Sequence, residues 1–333
     1  MENIFRTAIV GCGKIASEFA DDPKMMGDIF THAEAYSACE DTVLTTICDT
    51  DPEKLKTCGD RWQVPSRYSH VSEMFRNESI DIVSVSTPDT THFEVIQEIL
   101  SAPGPLKAIL CEKPLATNLE EAEEIIRLAQ EAGVILSVMY MRRHAENYQA
   151  LKKFISSGRL GDIQAISGWY TKGIFHNGTH WLDVLRWLSE EVGWVMAWNN
   201  LAENVEDPTL DIVLGMENGV LASLRACDSK SFTIFEMDIL GTLGRVRVLD
   251  SGFQMEHSRV VESTRYSGYK ELGSSPIRFG DRKNLMLHAV QDVISALKNG
   301  TPMKCTGEDG LKVLRIAQAA IEAAKTGEMV QIN

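Results

Sequence analysis

The most constraining feature of the chain is a glycine turn near its start. Residues 7–16 read Thr-Ala-Ile-Val-Gly-Cys-Gly-Lys-Ile-Ala, so that an apolar run is broken by Gly11 and Gly13. This order predicts a strand, a tight turn and a helix, because Gly11 permits the turn, Gly13 allows a close backbone approach, and Ala16 is small enough for the helix to pack on the strand. A pyrophosphate would bind at the helix N-terminus, where unpaired N–H groups favour negative charge. The alternative is an ordinary β-to-α turn.

A carboxylate follows the next predicted strand. Residues 43–48 are β-branched or apolar, and the strand ends on Asp49. A carboxylate there can accept hydrogen bonds from the ribose hydroxyls of NAD, and it would repel the 2′-phosphate of NADP. Asp49 lies beyond the usual spacing of about 20 residues from the glycines, an excess that we assign to an insertion at 21–31, after the first helix. The pattern predicts NAD, with NADP less favoured, unless Asp49 only begins a turn.

Composition excludes several classes of partner. A chain of 333 residues with 44% hydrophobic and 24% charged residues is typical of a globular protein, and its length suits about two domains. The formal net charge of −14 disfavours nucleic acid and anionic membranes. No apolar run has membrane-spanning length, and no signal-like segment begins the sequence. Seven cysteines without a Cys-x-x-Cys pair indicate buried reduced thiols, so we expect a cytoplasmic protein.

Strands and helices alternate in the first part of the chain. Further apolar strands are predicted at 80–86, 108–111 and 134–139, and helices at 92–100 and 117–133. The second of these helices starts with a capping box, Thr117-Asn-Leu-Glu120. Alternating βα units predict a doubly wound parallel sheet with helices on both faces. We assign this Rossmann domain to residues 1–141.

Beyond residue 141, strands follow one another without intervening helices. Strands are predicted at 163–171, 192–198, 210–216, 220–226, 235–239 and 245–248, and helices at 147–157, 179–188, 283–298 and 311–325. The strands have one apolar and one polar face, which predicts an α/β domain of residues 142–333 with a large, mostly antiparallel open sheet. The two C-terminal helices can pack back on the first domain. A sheet with helices on one face predicts a homodimer or homotetramer through the other.

Six motifs occur in a fixed order along the chain. They are Gly11-x-Gly13-x-x-Ala16, Asp49, Thr87-Pro88-Asp89-Thr-Thr-His92, Glu112-Lys113-Pro114, Met141-Arg142-Arg143 and Gly178-Thr-His180-x-x-Asp183. This set resembles the Gfo/Idh/MocA oxidoreductase family over essentially the whole chain. The resemblance implies hydride transfer between a nicotinamide cofactor and a hydroxyl carbon of a sugar, cyclitol or related molecule. It implies cofactor contacts from Gly11, Gly13, Lys14, Ile15, Ala16, Asp49, Thr87, Pro88, His92, Glu112 and Lys113.

The resemblance also assigns the chemistry to two residues. Removing hydride from a secondary carbinol requires a base for the hydroxyl proton and a donor that holds the oxygen as it gains carbonyl character. Lys113 is implied beside the nicotinamide and the reacting hydroxyl, with a lysyl-prolyl bond that is cis in relatives. His180 is implied in the exchange of the proton. The alternatives are a surface lysine and a packed helical histidine.

One position departs from the family pattern. Inositol dehydrogenase-like relatives have an Asp four residues before the histidine, whereas this chain has His176 there. His176 or Asn177 would then contact the substrate in its place. The spacing of His176 and His180 also suits a zinc pair, but Asn-Gly is poor helix interior and no third ligand is evident, so we expect no metal.

Several polar residues are expected to contact the substrate. If the family arrangement holds, Arg142, Arg143, Tyr170 and Lys172 face it, with strand-edge and salt-bridge roles as the alternatives. Cations in so acidic a chain suit a phosphate or carboxylate, which leaves a nucleotide sugar, a uronic-type sugar and a free cyclitol open. The sequence is therefore compatible with an NAD-dependent dehydrogenase, an NAD-dependent glycosidase that oxidises the sugar transiently, or a nucleotide-binding regulator without turnover.

Overall fold

The chain forms two compact units. The computed structural model describes residues 4–25, 27–202, 205–273, 277–280 and 282–332. The first unit comprises Met1–His144 and Lys283–Lys312, and the second comprises Ala145–Arg282 and Val313–Asn333. Each unit is built around its own sheet.

Parallel strands form the sheet of the first unit. They are β1 (Phe5–Val10), β2 (Thr42–Cys48), β3 (Ser66–Tyr68), β4 (Ile82–Val85), β5 (Ala108–Cys111) and β6 (Ile135–Val138). Their order is β3-β2-β1-β4-β5-β6, so the strand order reverses between β1 and β4. Strands β4 and β5 are buried along their whole length, as in a sheet covered on both faces. The predicted doubly wound sheet is confirmed, and ligands bind such sheets at the carboxyl ends of the strands beside the reversal.

Helices flank the strands of both units. They are α1 (His32–Ala38), α2 (Pro52–Arg61), α3 (Val71–Asn77), α4 (His92–Ser101), α5 (Leu119–Glu131), α6 (Glu146–Ser156), α7 (Thr179–Leu188), α8 (Leu285–Asn299) and α9 (Gly307–Thr326). The cap predicted for α5 lies one residue later than expected. Asn118 accepts the hydrogen bond from the Glu121 N–H at 2.9 Å, whereas the Thr117 hydroxyl bonds to the Glu121 side chain instead.

The helix predicted directly after the glycine turn is interrupted. The Ser17 N–H donates to the Gly13 carbonyl at 3.0 Å, which makes one helical turn. A short 3-10 turn at Glu18–Asp21 follows, and helix α1 begins only at His32. The expectation of a helix that ends before the insertion was therefore wrong. The extra residues, predicted at 21–31, interrupt the helix rather than follow it. Residue 26 lies outside the described part of the chain.

Helix α1 resumes the hydrogen-bond ladder of that first turn. The N–H of His32 donates to the Ile15 carbonyl at 3.2 Å, and the N–H of Ala33 donates to the Ala16 carbonyl at 3.0 Å. In an uninterrupted helix these carbonyls would pair with N–H groups four residues ahead. The chain thus departs from the helix at the insertion and returns to it at His32, while the glycine turn keeps its conformation.

A mixed sheet forms the second unit. Its strands are β7 (Ile163–Tyr170), β8 (Val192–Trp198), β9 (Asp211–Met216), β10 (Leu221–Ala226), β11 (Phe235–Gly241), β12 (Gly244–Leu249), β13 (Gln254–Glu262), β14 (Lys270–Leu272), β15 (Ile277–Arg278) and β16 (Val330–Gln331). The order is β14-β13-β12-β11-β7-β10-β9-β8-β16, with β15 paired to β13. Strands β7 and β10 are parallel, and the other described pairs are antiparallel. The predicted large, mostly antiparallel sheet is confirmed.

The two faces of this sheet differ in cover. Helix α7 packs on one face, where the Trp181 indole donates to the Glu236 carbonyl at 3.1 Å and lies where a Cβ of Gly168 would be. On the other face, Leu221 and Leu240 both pair with Ala165 in the sheet and are 54% and 39% exposed. The sheet therefore presents an apolar face that helix α7 does not cover.

Burial of one histidine in the first unit makes the stability depend on pH. His144 is buried, its Nδ1 lies 3.9 Å from Asp292 Oδ2, and its ring has no hydrogen-bond partner among the described residues. Burial, and then the positive charges of Lys304 and Arg143, lower its pKa to about 3. In the unfolded chain a histidine has a pKa of about 6.5, so below that pH the unfolded state binds a proton that the native state does not. The contribution of neutral His144 to the free energy of unfolding is therefore complete above about pH 6.5 and is lost as the pH falls towards 3.

We expect His144→Gln to flatten the pH dependence of stability. In the parent protein, the free energy of unfolding should decline between pH 6.5 and 4.5 by up to about 1.4 kcal/mol per pH unit because of this residue. Urea unfolding at several pH values measures the slope. His70→Gln is the control, because His70 is exposed and should leave the slope unchanged. An equal slope in His144→Gln and the parent would contradict the prediction.

Candidate functional site

The glycine turn at the end of β1 has the shape of a phosphate-binding turn. Gly11 has a φ of +91°, and a Cβ there would lie 2.7 Å from backbone atoms of Ser86 and Thr87. Gly13 differs, since a Cβ built on it has no atom within 4 Å. Gly11 is therefore required by the fold, whereas Gly13 borders open space that a pyrophosphate can occupy.

Asp49 is fixed beside this turn by two backbone hydrogen bonds. Its Oδ2 accepts the Cys12 N–H at 2.6 Å, and its Oδ1 accepts the Asp51 N–H at 2.8 Å. Each carboxylate oxygen can accept a further hydrogen bond. The carboxylate thus lies next to the glycine turn with acceptor capacity left, which suits the ribose hydroxyls of a dinucleotide.

His92 holds together the loops that follow β4 and β5. Its buried ring lies 3.0 Å from the Thr87 carbonyl oxygen and 2.9 Å from that of Pro114. Both ring nitrogens face backbone carbonyls, so His92 shapes the loops. The Thr87 hydroxyl, by contrast, is buried and has no hydrogen-bond partner within the described part of the chain. An unpaired hydroxyl in this loop fits a group supplied by a bound cofactor.

A buried polar chain ends on the carboxylate beside Lys113. The Tyr36 hydroxyl lies 2.7 Å from Ser84 Oγ, which lies 2.9 Å from His32 Nδ1, and His32 Nε2 lies 3.2 Å from Glu112 Oε1. Burial raises the pKa of Tyr36, which keeps the phenol neutral. The other Glu112 oxygen accepts the Lys113 N–H at 3.3 Å. This chain fixes the Glu112 carboxylate and, through it, the backbone at Lys113.

Sequence reasoning missed the members of this chain apart from Glu112. His32, Ser84 and Tyr36 are fully buried. A signal was present, because Ser84 is the polar residue of the strand Ile-Val-Ser-Val, where a hydroxyl needs a buried partner. The partner itself lies 52 residues away at His32, which no local pattern reveals.

The remaining predicted cofactor residues lie on the same loops. Lys14 and Pro88 are exposed, Ile15 is half-buried and Ala16 is buried. Lys113, the second residue after β5, is half-buried, and the Lys113–Pro114 peptide bond is cis.

In the second unit, the predicted substrate residues lie around the start of α7. Strand β7 is followed by Lys172 and Gly173, with φ of 68° and 80°, and then by a π-helical turn at Ile174–Gly178 that leads into α7. His176 is exposed, and His180, the second residue of α7, is 9% exposed. Turns of this π type are frequent at functional sites.

The side chains of Asn177 and Lys172 differ in how far they are available for contact with a substrate. The Asn177 side chain donates to the Thr171 carbonyl at 3.1 Å, so that its amide nitrogen holds the turn. Lys172 is exposed, although its backbone is in the left-handed region, which costs a non-glycine residue about 1 kcal/mol. Such strain is typical of functional positions.

Two residues expected to face the substrate, Tyr170 and Arg143, are buried in the structure. Tyr170 is completely buried, and its hydroxyl donates to the Leu210 carbonyl at 3.0 Å and accepts the Leu210 N–H at 2.7 Å. It is a core residue, because its position in β7 faces the helix-covered side of the sheet. Arg143 is buried and pairs with Asp309 at 3.0 Å, so the alternative of a salt bridge holds for it. Its neighbour Arg142 is buried as well, with 7% of its surface exposed.

Comparison with known families decides the classification. The Gfo/Idh/MocA oxidoreductase family, NAD-binding Rossmann fold, matches residues 5–140, and the C-terminal alpha/beta domain of the same family matches residues 168–332. The chain belongs to the Gfo/Idh/MocA oxidoreductase family. The resemblance inferred from the motifs is thereby confirmed.

Relatives in this family carry different names. The chain is 25% identical to a D-apiose dehydrogenase of Rhizobium rhizogenes, with 98% of this chain and 97% of the relative aligned. It is 24% identical to a myo-inositol 2-dehydrogenase of Thermotoga maritima, with 98% of each aligned. The fold is also that of the WlbA dehydrogenase of Bordetella pertussis in complex with NADH and UDP-GlcNAcA, with a TM-score of 0.78, 23% identity and 99% of each chain covered.

Within the described ranges, no three His, Cys, Asp or Glu side chains cluster as metal ligands would, and the expectation of no metal stays a prediction. Among the same residues, no helix has the length and hydropathy needed to cross a bilayer.

Alanine at the two glycines should separate folding from NAD binding. Gly11→Ala should lower the melting temperature, because a Cβ meets the backbone at 2.7 Å and the positive φ disfavours alanine. Gly13→Ala should keep or raise it, but should weaken NAD binding at least tenfold, because its methyl group enters the open space. Thermal unfolding and calorimetric NAD titration measure the two effects. Unchanged NAD affinity in Gly13→Ala would show that the pyrophosphate binds elsewhere.

Proposed function

We propose that the protein oxidises a secondary hydroxyl carbon of a sugar, cyclitol or nucleotide sugar with NAD as the hydride acceptor. The observation that carries the proposal is the position of Lys113, two residues after the end of the buried strand β5, where Glu112 fixes its backbone at the ligand-binding edge of an NAD-family sheet. A lysine with no role beyond solvation would not require the preceding residue, Glu112, to be fixed by a chain of buried polar groups.

The preference for NAD over NADP rests on Asp49. Its carboxylate is fixed at the glycine turn by the Cys12 and Asp51 N–H groups, so it cannot turn away from a bound adenosine ribose without losing both bonds. A 2′-phosphate would meet this negative charge at close range.

Replacing Asp49 should change the cofactor preference. The parent should bind NAD more tightly than NADP. Asp49→Ser should lower the ratio of NAD affinity to NADP affinity by about tenfold or more, because the repulsion of the 2′-phosphate is removed. Calorimetric titration with both cofactors gives the ratio. Asp60→Ser is a suitable control, since Asp60 is an exposed acid near the other end of α2, where it pairs with Lys56. Equal affinities for NAD and NADP in the parent would rule out this role of Asp49.

Two side chains carry the proton and the developing charge in the proposed reaction. When bound, NAD supplies an acceptor for the hydride. Lys113 stabilises the substrate oxygen as it gains carbonyl character, and His180 takes the hydroxyl proton. These roles are supported by the family resemblance and by residue type, and they remain proposals.

Removing either group should slow turnover without weakening NAD binding. Lys113→Met and His180→Ala should each lower kcat by about 10² to 10⁴, the usual scale for such groups. Lys56→Met and His70→Ala are matched controls, because both parent residues are exposed. Steady-state kinetics and separate NAD titrations provide the two readouts. Near-parental turnover in Lys113→Met would place the chemistry elsewhere.

The substrate is a polyhydroxylated molecule with or without an anionic group. Relatives are named for apiose and inositol, and one fold neighbour is complexed with UDP-GlcNAcA. His176 and Lys172 are exposed beside the start of α7 and are our candidates for substrate contact. Incubating the protein with NAD and a panel of sugars, cyclitols and nucleotide sugars, and following NADH absorbance, tests the proposal directly.

Release of the aglycone from a panel of glycosides, measured beside NADH absorbance, separates the two alternatives. An NAD-dependent glycosidase would release an aglycone without net NADH and would turn over without added NAD. A nucleotide-binding regulator would bind NAD and give neither product. We further propose a cytoplasmic homodimer or homotetramer formed through the open face of the second sheet, where Leu221 and Leu240 are exposed.

A further inference from the structure

Four consecutive backbone N–H groups at the start of the His176 segment are satisfied by one distant tripeptide. Gly173 donates to Thr209 Oγ1 at 3.0 Å, Ile174 to the Pro208 carbonyl at 3.0 Å, Phe175 to Asp207 Oδ1 at 2.7 Å and His176 to Asp207 Oδ2 at 2.9 Å. These are the donors that the beginning of a helix leaves without intrahelical partners. Residues 207–209 therefore cap this helical segment from the chain that leads into β9.

The segment has no local substitute for this cap. The residue at its N-cap position is Gly173, which has no side chain to accept a hydrogen bond. A Cβ at Gly173 would lie 2.2 Å from the Asp207 carboxylate, so the glycine makes room for it. A negative charge at this end of the segment is also favoured by the aligned peptide dipoles.

The turn before the segment is strained and needs an external constraint. Lys172 and Gly173 both have positive φ, and for the lysine this conformation is unfavourable. Such conformations persist only where the surrounding structure fixes them. Asp207 and Thr209 bond directly to the residues that follow Lys172, so they are part of what fixes the turn.

We propose that Asp207 is a positioning residue that sets the location of His176 and His180. The carboxylate binds the backbone N–H of His176 itself, and the Thr179 hydroxyl closes the π-helical turn on the Phe175 carbonyl at 2.7 Å just before His180. A shift at Phe175 and His176 is thus transmitted to His180 within one helical turn. The proposal rests on the proposed function, because it assigns a purpose to the position of these two histidines.

Asp207→Asn in the full chain tests the proposal. Asparagine keeps one acceptor oxygen and places an NH₂ group against the second N–H donor, so one of the two bonds becomes a donor–donor contact. We expect kcat/KM to fall by about 10²-fold, the scale of a displacement of about 1 Å at a reacting group. NAD affinity should not change, because the glycine turn and Asp49 belong to the other unit.

A matched control separates positioning from general stability. Asp228 also accepts a backbone N–H, that of Lys230 at 2.8 Å, in an exposed turn of the same unit. Asp228→Asn should leave kcat/KM unchanged. Thr209→Val, which removes the acceptor for the Gly173 N–H, should give a smaller loss in the same direction and serves if Asp207→Asn does not fold. A lower melting temperature with parental kcat/KM in the folded Asp207→Asn protein would overturn the proposal.

A second readout does not depend on activity. The imidazole NMR signals of His176 and His180, assigned with His176→Gln and His180→Ala, should move in Asp207→Asn and stay in place in Asp228→Asn. If no compound in the panel is oxidised but the signals move, the proposed function fails and the positioning role stands. If the signals of both histidines stay in place in Asp207→Asn, the positioning role fails whatever the activity.

Discussion

The close approach of Gly11 to the end of β4 is the constraint on which the first unit depends. Because Gly11 has no Cβ, the backbone at Ser86 and Thr87 lies directly against the turn. The Asp49 carboxylate then fastens the end of β2 to the same turn through the Cys12 N–H. Three strand ends are thus held together by a backbone contact and a carboxylate hydrogen bond, so the shape of the nucleotide turn does not depend on which apolar side chains fill the core.

This arrangement explains why an insertion is tolerated so close to the site. The helix after the glycine turn is broken off near Glu18, yet His32 and Ala33 complete its hydrogen bonds to Ile15 and Ala16. The sequence revealed the extra length, because Asp49 lies too far from the glycines. It did not reveal where the inserted residues interrupt the helix. When the backbone hydrogen bonds of a helix close across an insertion, the apolar residues of the helix are not regularly spaced in the sequence. Such regular spacing is the signal by which a helix is predicted from sequence.

The strands of both units were largely predictable because each is a continuous apolar or alternating run. The position of Lys113 was predictable for the same reason, since the end of an apolar strand is visible in sequence. The role of Tyr170 was not, because which face of β7 is buried depends on Trp181 packing where Gly168 has no side chain. The polar chain from Tyr36 to Glu112 was hidden likewise, since its members come from three separate elements.

The two units fix a glycine turn in a similar way. In each, a glycine with positive φ is followed by backbone N–H groups, one in the first unit and two in the second, that donate to a carboxylate from a distant element. The separation is 37 residues for Asp49 and 31 and 32 residues for Asp207. Glycine makes such a turn possible but leaves it flexible, because it has more backbone freedom than any other residue. The distant carboxylate removes that freedom, and its charge strengthens the bonds to the N–H groups. Glycine motifs therefore mark where a functional turn lies, whereas the acids that fix it are recognised only once the fold brings them together.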